Sequence, residues 1–193
     1  QGTGLGKYTE KLITSLAKID KKNRYLIFLK RTNWNYLKFG KNFSKILADI
    51  PWYSLQEQIK LPKIFTSANL DLLHIPHFNT PFLYRGKFIV TIHDLIHHQF
   101  SEYAATTKNP IIFKIIRVAY KRVITNAVVK SQKILTPSNF VKDEIIKTFN
   151  INPDKIVVSY EAAEEEYLPE NGKWKIRFLI FDKSKRENGK FLL

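Results

Sequence analysis

The chain has 193 residues, of which 44% are hydrophobic and 13% aromatic, so it can bury a core and wholesale disorder is excluded. It has no cysteine, which excludes disulfides, thiolate metal sites and cysteine nucleophiles, and no apolar run approaches the roughly 20 residues of a membrane-spanning helix. The net charge of +15 favours an anionic partner such as nucleic acid, a phosphorylated substrate or an acidic bilayer, and a solvated lysine-rich surface explains it equally well.

Helical and strand patterns alternate from the beginning of the chain. Residues 8–18 have helical spacing of their apolar positions, and residues 25–29 form a short, continuously apolar strand. A less regular section follows. Residues 54–67 then indicate a helix that is interrupted at Pro62.

The second half continues this alternation. Strands are predicted at residues 71–75, 88–92, 133–136 and 156–159, and helices at residues 108–129 and 138–149. The alternation predicts an α/β fold with a doubly wound, mostly parallel, Rossmann-like sheet. Because such sheets gather ligands where their strands end, we expect the loops after Ile75, Ile92 and Thr136 to lie along one carboxyl edge of the sheet.

The composition also suggests a division of the chain. We expect residues 1–160 to form one domain, the acidic and turn-rich residues 161–173 to be a linker, and residues 174–193 to be the start of a second domain. The sequence has no methionine and opens in a turn-like segment, so we expect it to be cut at its front.

A glycine-rich segment, GTGLGKY at residues 2–8, lies directly before the first predicted helix. Glycines let a backbone approach an anion closely, and the amides at the start of a helix suit a phosphate or diphosphate. The spacing fits neither a P-loop nor the dinucleotide fingerprint. The segment is therefore a candidate phosphate site, and a purely structural turn is an equal alternative.

The histidines are clustered in the sequence. They are His74, His77, His93, His97 and His98. His74 and His77 accompany one predicted strand, and His93 and Asp94 end the next, so the imidazoles converge if these strands are neighbours. A metal site of His74, His77, His93 and Asp94 is an alternative, but the spacing matches no zinc or two-metal signature. We therefore expect no metal, and we expect His97 and His98 to be ordinary polar residues.

A third candidate is the segment TPSNF at residues 136–140. Ser138 is placed to cap the helix that follows. The same segment also supplies hydroxyl and amide groups suited to sugar hydroxyls or a phosphate at the carboxyl edge. The two interpretations are compatible.

Taken in order, these segments resemble the first domain of the family 4 glycosyltransferases of the GT-B fold. Residues 4–9 (GLGKYT) are similar to the family motif G-x-G-R-Y-T, and residues 71–77 (DLLHIPH) to D-L-x-H-x-P-H. Residues 91–95 (TIHDL) are identical to T-I-H-D-L. Residues 134–140 (ILTPSNF) are similar to I-x-T-x-S-x-F, and residues 152–158 (NPDKIVV) to P-x-K-I-x-V. Lys7 stands where arginine is common in the family. The resemblance rests on five motifs in the right order and extends over nearly the whole chain.

The resemblance implies transfer of a sugar from a nucleotide-activated donor to an acceptor, with retention of the anomeric configuration and with no cofactor or metal. It places the glycine segment near the donor diphosphate and acceptor, and His93 against the donor sugar. The catalytic candidates are His93 and Asp94. The substrate-binding candidates are Gly4, Gly6, Lys7, Tyr8, His77, Ser138 and Asn139. The implied partners are a nucleotide-sugar and a sugar, lipid-linked or polysaccharide acceptor, in the cytoplasm or peripherally on the inner face of an anionic membrane.

The family's donor-binding half, with a basic phosphate pair and an E-x7-E motif, has no counterpart here beyond residues 178–188, which resemble its opening strand and loop. We therefore expect the chain to be truncated at both ends and to transfer little or no sugar alone. Two alternatives to an enzyme are a basic nucleic-acid-binding module and a non-catalytic remnant. No nucleic-acid-binding motif accompanies the charge, so nucleic acid is the less favoured partner.

Overall fold

The computed structural model describes residues 4–35, 40–96 and 110–162. Its helices are α1 (Gly4–Ile19), α2 (Leu55–Ser67), α3 (Pro110–Lys130) and α4 (Asn139–Phe149). Its strands are β1 (Tyr25–Leu29), β2 (Phe43–Leu47), β3 (Leu73–Ile75), β4 (Phe88–Thr91), β5 (Ile134–Thr136) and β6 (Ile156–Val158). Two short 3-10 turns lie at Arg31–Asn33 and Pro153–Lys155.

The strands form two parallel sheets. β1 pairs with β2, and the other four strands follow one another in the order β3-β4-β5-β6, every pair parallel. Helix α3 connects β4 to β5 and helix α4 connects β5 to β6, because a parallel pair needs a long crossover that a hairpin turn cannot supply. The predicted α/β class with a mostly parallel, Rossmann-like sheet is confirmed.

The core lies between the four-stranded sheet and the helices that pack on it. Val90 of β4 and Ile134 of β5 are fully buried, and so are Ile124 and Val128, one turn apart on α3, and Ile145 of α4. A fully buried side chain of this size stabilises the fold by roughly 1.5–3 kcal/mol. The apolar contacts therefore fix the positions of β3, β4 and β5, whose carboxyl ends carry the polar residues considered below.

Three sequence predictions are corrected. The less regular section contains β2, which the sequence conceals because Ser44 and Lys45 interrupt its apolar run. Helix α2 is continuous through Pro62, because Pro62 and Phe65 are buried against the core and packing outweighs the one missing backbone hydrogen bond. Helix α1 begins at Gly4 rather than at Tyr8.

The chain divides into one unit of Gln1–Tyr160 and another of Glu161–Leu193. The predicted linker and second-domain start lie almost wholly outside the described residues and stay predictions. No helix within the described ranges is both long enough and apolar enough to cross a bilayer.

Candidate functional site

Four polar side chains meet where β3 and β4 end. His74 lies in β3 and Thr91 is the last residue of β4, and the Nε2 of His74 lies 2.9 Å from the Thr91 hydroxyl oxygen. The phenol oxygen of Tyr8 lies 3.4 Å from the same hydroxyl. The histidine-bearing strands β3 and β4 are parallel neighbours, as expected, but His77 does not join this group.

His93 completes this group from the loop after β4. Its ring meets the ring of Tyr8 edge to face, with centroids 4.7 Å apart. Its Nε2 lies 3.3 Å from the carbonyl oxygen of Pro76, and because a carbonyl only accepts, Nε2–H is the donor. In the neutral ring the basic nitrogen of His93 is therefore Nδ1.

The pKa of His74 is shifted by its surroundings. Burial, and secondarily the nearby charge of His93, lower the pKa of His74 from 6.5 to about 4. His74 is therefore neutral near pH 7 and acts as a hydrogen-bonding partner of Thr91. His93 is also half-buried, and it lies in the loop after β4, next to the exposed Asp94.

The glycine segment reaches the same place through Tyr8. Gly4, Gly6 and Lys7 lie in the first turn of α1 and not in a loop before it, because the helix starts at Gly4. The amino end of a helix carries partial positive charge, which the Lys7 ammonium reinforces. Tyr8 contacts Thr91 and His93 and so holds the amino end of α1 against the carboxyl edge of the sheet. The structure thus brings together two segments that the sequence treated separately.

His77 belongs to a second network beside the first. Its Nδ1 accepts a hydrogen bond of 3.2 Å from the backbone N–H of Asn79, so neutral His77 carries its proton on Nε2. The Asn79 side chain in turn donates to Glu57 Oε1 over 2.9 Å. Glu57 is only 2% exposed, and its other oxygen accepts from the backbone N–H of Tyr53 over 2.7 Å.

Sequence reasoning missed Glu57 and Asn79. The available signal was the pattern Ser54-x-x-Glu57, which marks a helix start: Ser54 Oγ accepts from the Glu57 backbone N–H over 3.1 Å. Here Glu57 reaches back to Tyr53 instead of the Ser54 amide. No sequence pattern pointed to its partner Asn79, which lies 22 positions away.

Asp94 is exposed beside His93 and accepts a 3.0 Å hydrogen bond from the backbone N–H of Ile96. Its negative charge also acts on Tyr120 of α3. Burial is the largest cause that raises the pKa of Tyr120 to about 12, and Asp94 and Tyr53 add to it. Asp94, Tyr53 and Tyr120 therefore lie within electrostatic reach of one another.

Ser138 and Asn139 lie after β5, the strand next to β4. Ser138 caps α4, accepting from the Val141 backbone N–H over 3.3 Å, as predicted. The Asn139 side chain donates to the phenol oxygen of Tyr160 over 3.0 Å. Both residues stand at the carboxyl edge, and their hydrogen bonds run to α4 and to the end of β6.

The remaining histidines, His97 and His98, lie outside the described residues. Among the side chains that are described, no three or more His, Asp or Glu residues are grouped as ligands of one ion. His74 and His77 point into different networks, with Thr91 and with Asn79.

Two comparisons with known proteins found similar sequences. The model of Glycosyltransferase Family 4 matches residues 4–166. The chain is also similar to the O-antigen chain mannosyltransferase RfbU of Salmonella typhimurium strain LT2, with 27% identity over 177 residues. That alignment covers 85% of the chain and 46% of the relative, so the chain spans about half of the relative's length.

Proposed function

Because the chain belongs to Glycosyltransferase Family 4, we propose that it forms the acceptor-side wall of an enzyme that transfers a sugar from a nucleotide-sugar with retention of configuration. The observation that carries the proposal is the meeting of Tyr8, Thr91 and His93 at one carboxyl edge, beside the amino end of α1. This is where a parallel sheet binds its ligands.

The amino end of α1 faces the charge that such a reaction generates. When the bond between sugar and phosphate breaks, negative charge grows on the leaving diphosphate. The partial positive charge of the helix and the ammonium of Lys7 would stabilise it. The proposal needs no metal for this step.

His93 is proposed to contact the donor sugar. Its Nε2–H is engaged with Pro76, which holds the ring, and its edge-to-face contact with Tyr8 orients it. An oriented imidazole next to the reacting carbon stabilises a developing oxocarbenium ion through hydrogen bonds to the sugar hydroxyls. Asp94, which follows it in the exposed loop, is proposed to share this role.

The acceptor side is proposed to include His77, Ser138 and Asn139. Neutral His77 carries its proton on Nε2, since its Nδ1 accepts from the backbone N–H of Asn79. Such donors suit the hydroxyl groups of a sugar. The name of the similar mannosyltransferase supports a hexose donor and a cell-envelope polysaccharide or its lipid-linked precursor as acceptor. The net charge of +15 supports a peripheral position on the inner face of an anionic membrane.

The 193 residues alone are proposed to transfer little or no sugar, because the basic pair and acidic motif of the family's donor half are absent from them. The first test is to sequence the source DNA on both sides of this reading frame. A continuous frame with a second doubly wound domain and an E-x7-E motif supports the proposal, whereas stop codons at both ends contradict a catalytic role.

The second test assays the protein that the complete reading frame encodes. Nucleotide-sugars are supplied singly with oligosaccharide or lipid-linked acceptors, and the product linkage is read by NMR. His93-dependent transfer with retention, unchanged by a chelator, supports the proposal. Inversion, or a strict need for a divalent ion, contradicts it. Substantial transfer by the 193 residues alone overturns only the statement on their inactivity.

A further inference from the structure

A groove of about 400 Å³ lies between α3 and the loop that precedes β4. The loop contributes Phe82, which is 36% exposed, and α3 contributes Val129, which is 61% exposed. Three cations, Lys121, Arg122 and Lys130, line the same groove. These five residues define what is called the α3 groove. Exposed apolar surface beside positive charge is typical of a binding surface.

Hydrogen bonds hold the two walls of the groove in place. The buried side chain of Asn126, on α3, donates to the hydroxyl oxygen of Thr80 over 3.3 Å. The backbone N–H of Phe82 donates to the side-chain oxygen of Gln58, on α2, over 2.9 Å. The loop is thus bonded to two helices, and the groove exists before any ligand binds. A preformed site loses less conformational entropy on binding than a flexible one.

The walls of the groove carry no negative charge. Residues 78–87 and 110–130, which include both walls, contain no Asp or Glu. Lys121 and Lys130 are nine positions apart on α3, which corresponds to about 13 Å along the helix axis at about 1.5 Å per residue. The positive charge is therefore spread along the groove, which favours a ligand with separated negative charges over a single phosphate group.

The α3 groove lies at the edge of the sheet opposite the histidine-bearing site. Helix α3 ends at Lys130, shortly before β5 begins at Ile134. The backbone N–H of Gln132 donates to the carbonyl oxygen of Phe88, the first residue of β4, over 2.8 Å. The end of α3 is therefore beside the amino ends of both strands, whereas His93 follows the carboxyl end of β4. A ligand in the groove would leave the candidate site open.

An extended acidic peptide fits these features. Alternate side chains of an extended peptide face the same side, and four residues span about 13 Å. Acidic residues at the first and fifth positions would match the separated cations, and an apolar residue at the third would contact Phe82 and Val129.

Other polyanions fit the groove less well. Phe82 is the only aromatic residue among the described side chains that line it. Single-stranded nucleic acid is bound by aromatic platforms on which successive bases stack, and proteins are anchored at a bilayer surface by Trp and Tyr. The groove lacks both features within the described part of the chain.

We propose that the α3 groove binds an extended, acidic segment of a partner protein that has the pattern acid-x-apolar-x-acid. The carboxylates of the segment bind the cations of the groove, and its apolar side chain packs on Phe82 and Val129. The partner would be held at the amino edge while the carboxyl edge stays accessible. This binding does not depend on the proposed sugar transfer.

The test is fluorescence anisotropy of the 193-residue chain with labelled seven-residue peptides. These peptides carry glutamates in the pattern's acidic positions, leucine or phenylalanine in its apolar position and serine elsewhere. Peptides with glutamine in place of glutamate are the peptide control. The test variant is Lys121→Glu with Lys130→Glu. The matched control is Lys63→Glu with Lys147→Glu, two exposed lysines that do not line the groove and whose change lowers the net charge equally.

A second pair of variants tests the apolar contact. Val129→Ser removes apolar surface from the groove. Val118→Ser is its control, because Val118 is 46% exposed on the same helix and does not line the groove. Circular dichroism verifies that all four variants are folded.

We expect the acidic peptides to bind the wild-type chain and the glutamine peptides to bind at least about tenfold more weakly. The double variant in the groove should lose at least about tenfold in affinity and Val129→Ser about fivefold, whereas both controls should stay within about twofold of wild type. Absence of binding by the acidic peptides, or equal losses in a groove variant and its control, overturns the proposal.

An oligonucleotide and vesicles with phosphatidylserine are titrated in parallel. If either binds in a manner that the groove variants abolish and the controls retain, and the acidic peptides do not bind, the proposal is overturned and the groove belongs to that polyanion. No sugar donor is present in these titrations, so their failure leaves the proposed sugar transfer unaffected.

Discussion

The hydroxyl oxygens of Tyr8 and Thr91 lie 3.4 Å apart although 83 positions separate the two residues in the sequence. The contact joins the first helix to the end of a central strand, and the Thr91 hydroxyl also meets His74. One small side chain, 2% exposed, thus connects three elements of the candidate site.

We expect Thr91→Val to destabilise the protein by about 1–3 kcal/mol, because the substitution keeps the shape but leaves the largely desolvated imidazole of His74 without its hydroxyl partner. Urea unfolding at neutral pH measures the change. Thr125→Val, at an exposed position of α3, is the control and should change little. Equal losses in the two variants would show that the Thr91 hydroxyl contributes nothing specific.

The lowered pKa of His74 predicts a dependence of stability on pH. The pKa is about 4 in the folded protein against an ordinary value of 6.5, so the unfolded chain binds more protons between these values. The free energy of unfolding is then fully present above about pH 6.5 and falls by about 3 kcal/mol as the pH drops toward 4. Urea unfolding at several pH values measures the fall. His74→Gln should have a shallower dependence in this window, and an unchanged slope would contradict the assignment.

Glu57→Gln should perturb His77 from a distance. Both oxygens of Glu57 accept from N–H donors, one from Tyr53 and one from Asn79, whereas the NH2 group of a glutamine cannot accept. One buried hydrogen bond is therefore lost, and we expect a destabilisation of about 1–3 kcal/mol. In the wild type, nitrogen NMR should show neutral His77 protonated on Nε2. The variant should populate the other tautomer more. Asp143→Asn, an exposed carboxylate of α4, is the control. A His77 spectrum that is identical in Glu57→Gln and wild type would refute the coupling.

In the protein that the complete reading frame encodes, His93→Ala should lower kcat by at least about 100-fold with a small change in KM. The reason is that the lost contacts are strongest in the transition state. Steady-state kinetics with a nucleotide-sugar measure both constants. Gln132→Ala, exposed before β5 and outside the site, should keep the wild-type values. A kcat within a fewfold of wild type would remove His93 from the reaction.

The charge of +15 should not confer tight binding to nucleic acid. At physiological salt we expect dissociation constants no tighter than about 10⁻⁶ M for oligonucleotides, which is the range of non-specific binding. Filter binding across a salt series measures this. Nanomolar binding with a steep salt dependence would favour the alternative of a nucleic-acid-binding module.

Much of the fold was predictable because its strands are short apolar runs between clear helix signals. The prediction for β1 matches the structure residue for residue, and those for the later strands differ by one or two residues. Strand β2 was not predictable from its pattern, since Ser44 and Lys45 interrupt its apolar run. The interruption of α2 was wrong because burial of Pro62 outweighs its local preference.

The sequence by itself determined the α/β class, the cap at Ser138 and the clustering of histidines near two strand ends, because apolar periodicity and capping patterns depend on neighbouring residues. Only the tertiary structure decided which polar groups meet. It separated His77 from His74, joined Tyr8 to Thr91 and His93, and buried Glu57 against Asn79. Apart from the contact of His77 with Asn79, these contacts join residues that are 17 to 85 positions apart in the chain. Strand order and helix packing bring such residues together, and no local sequence pattern encodes that.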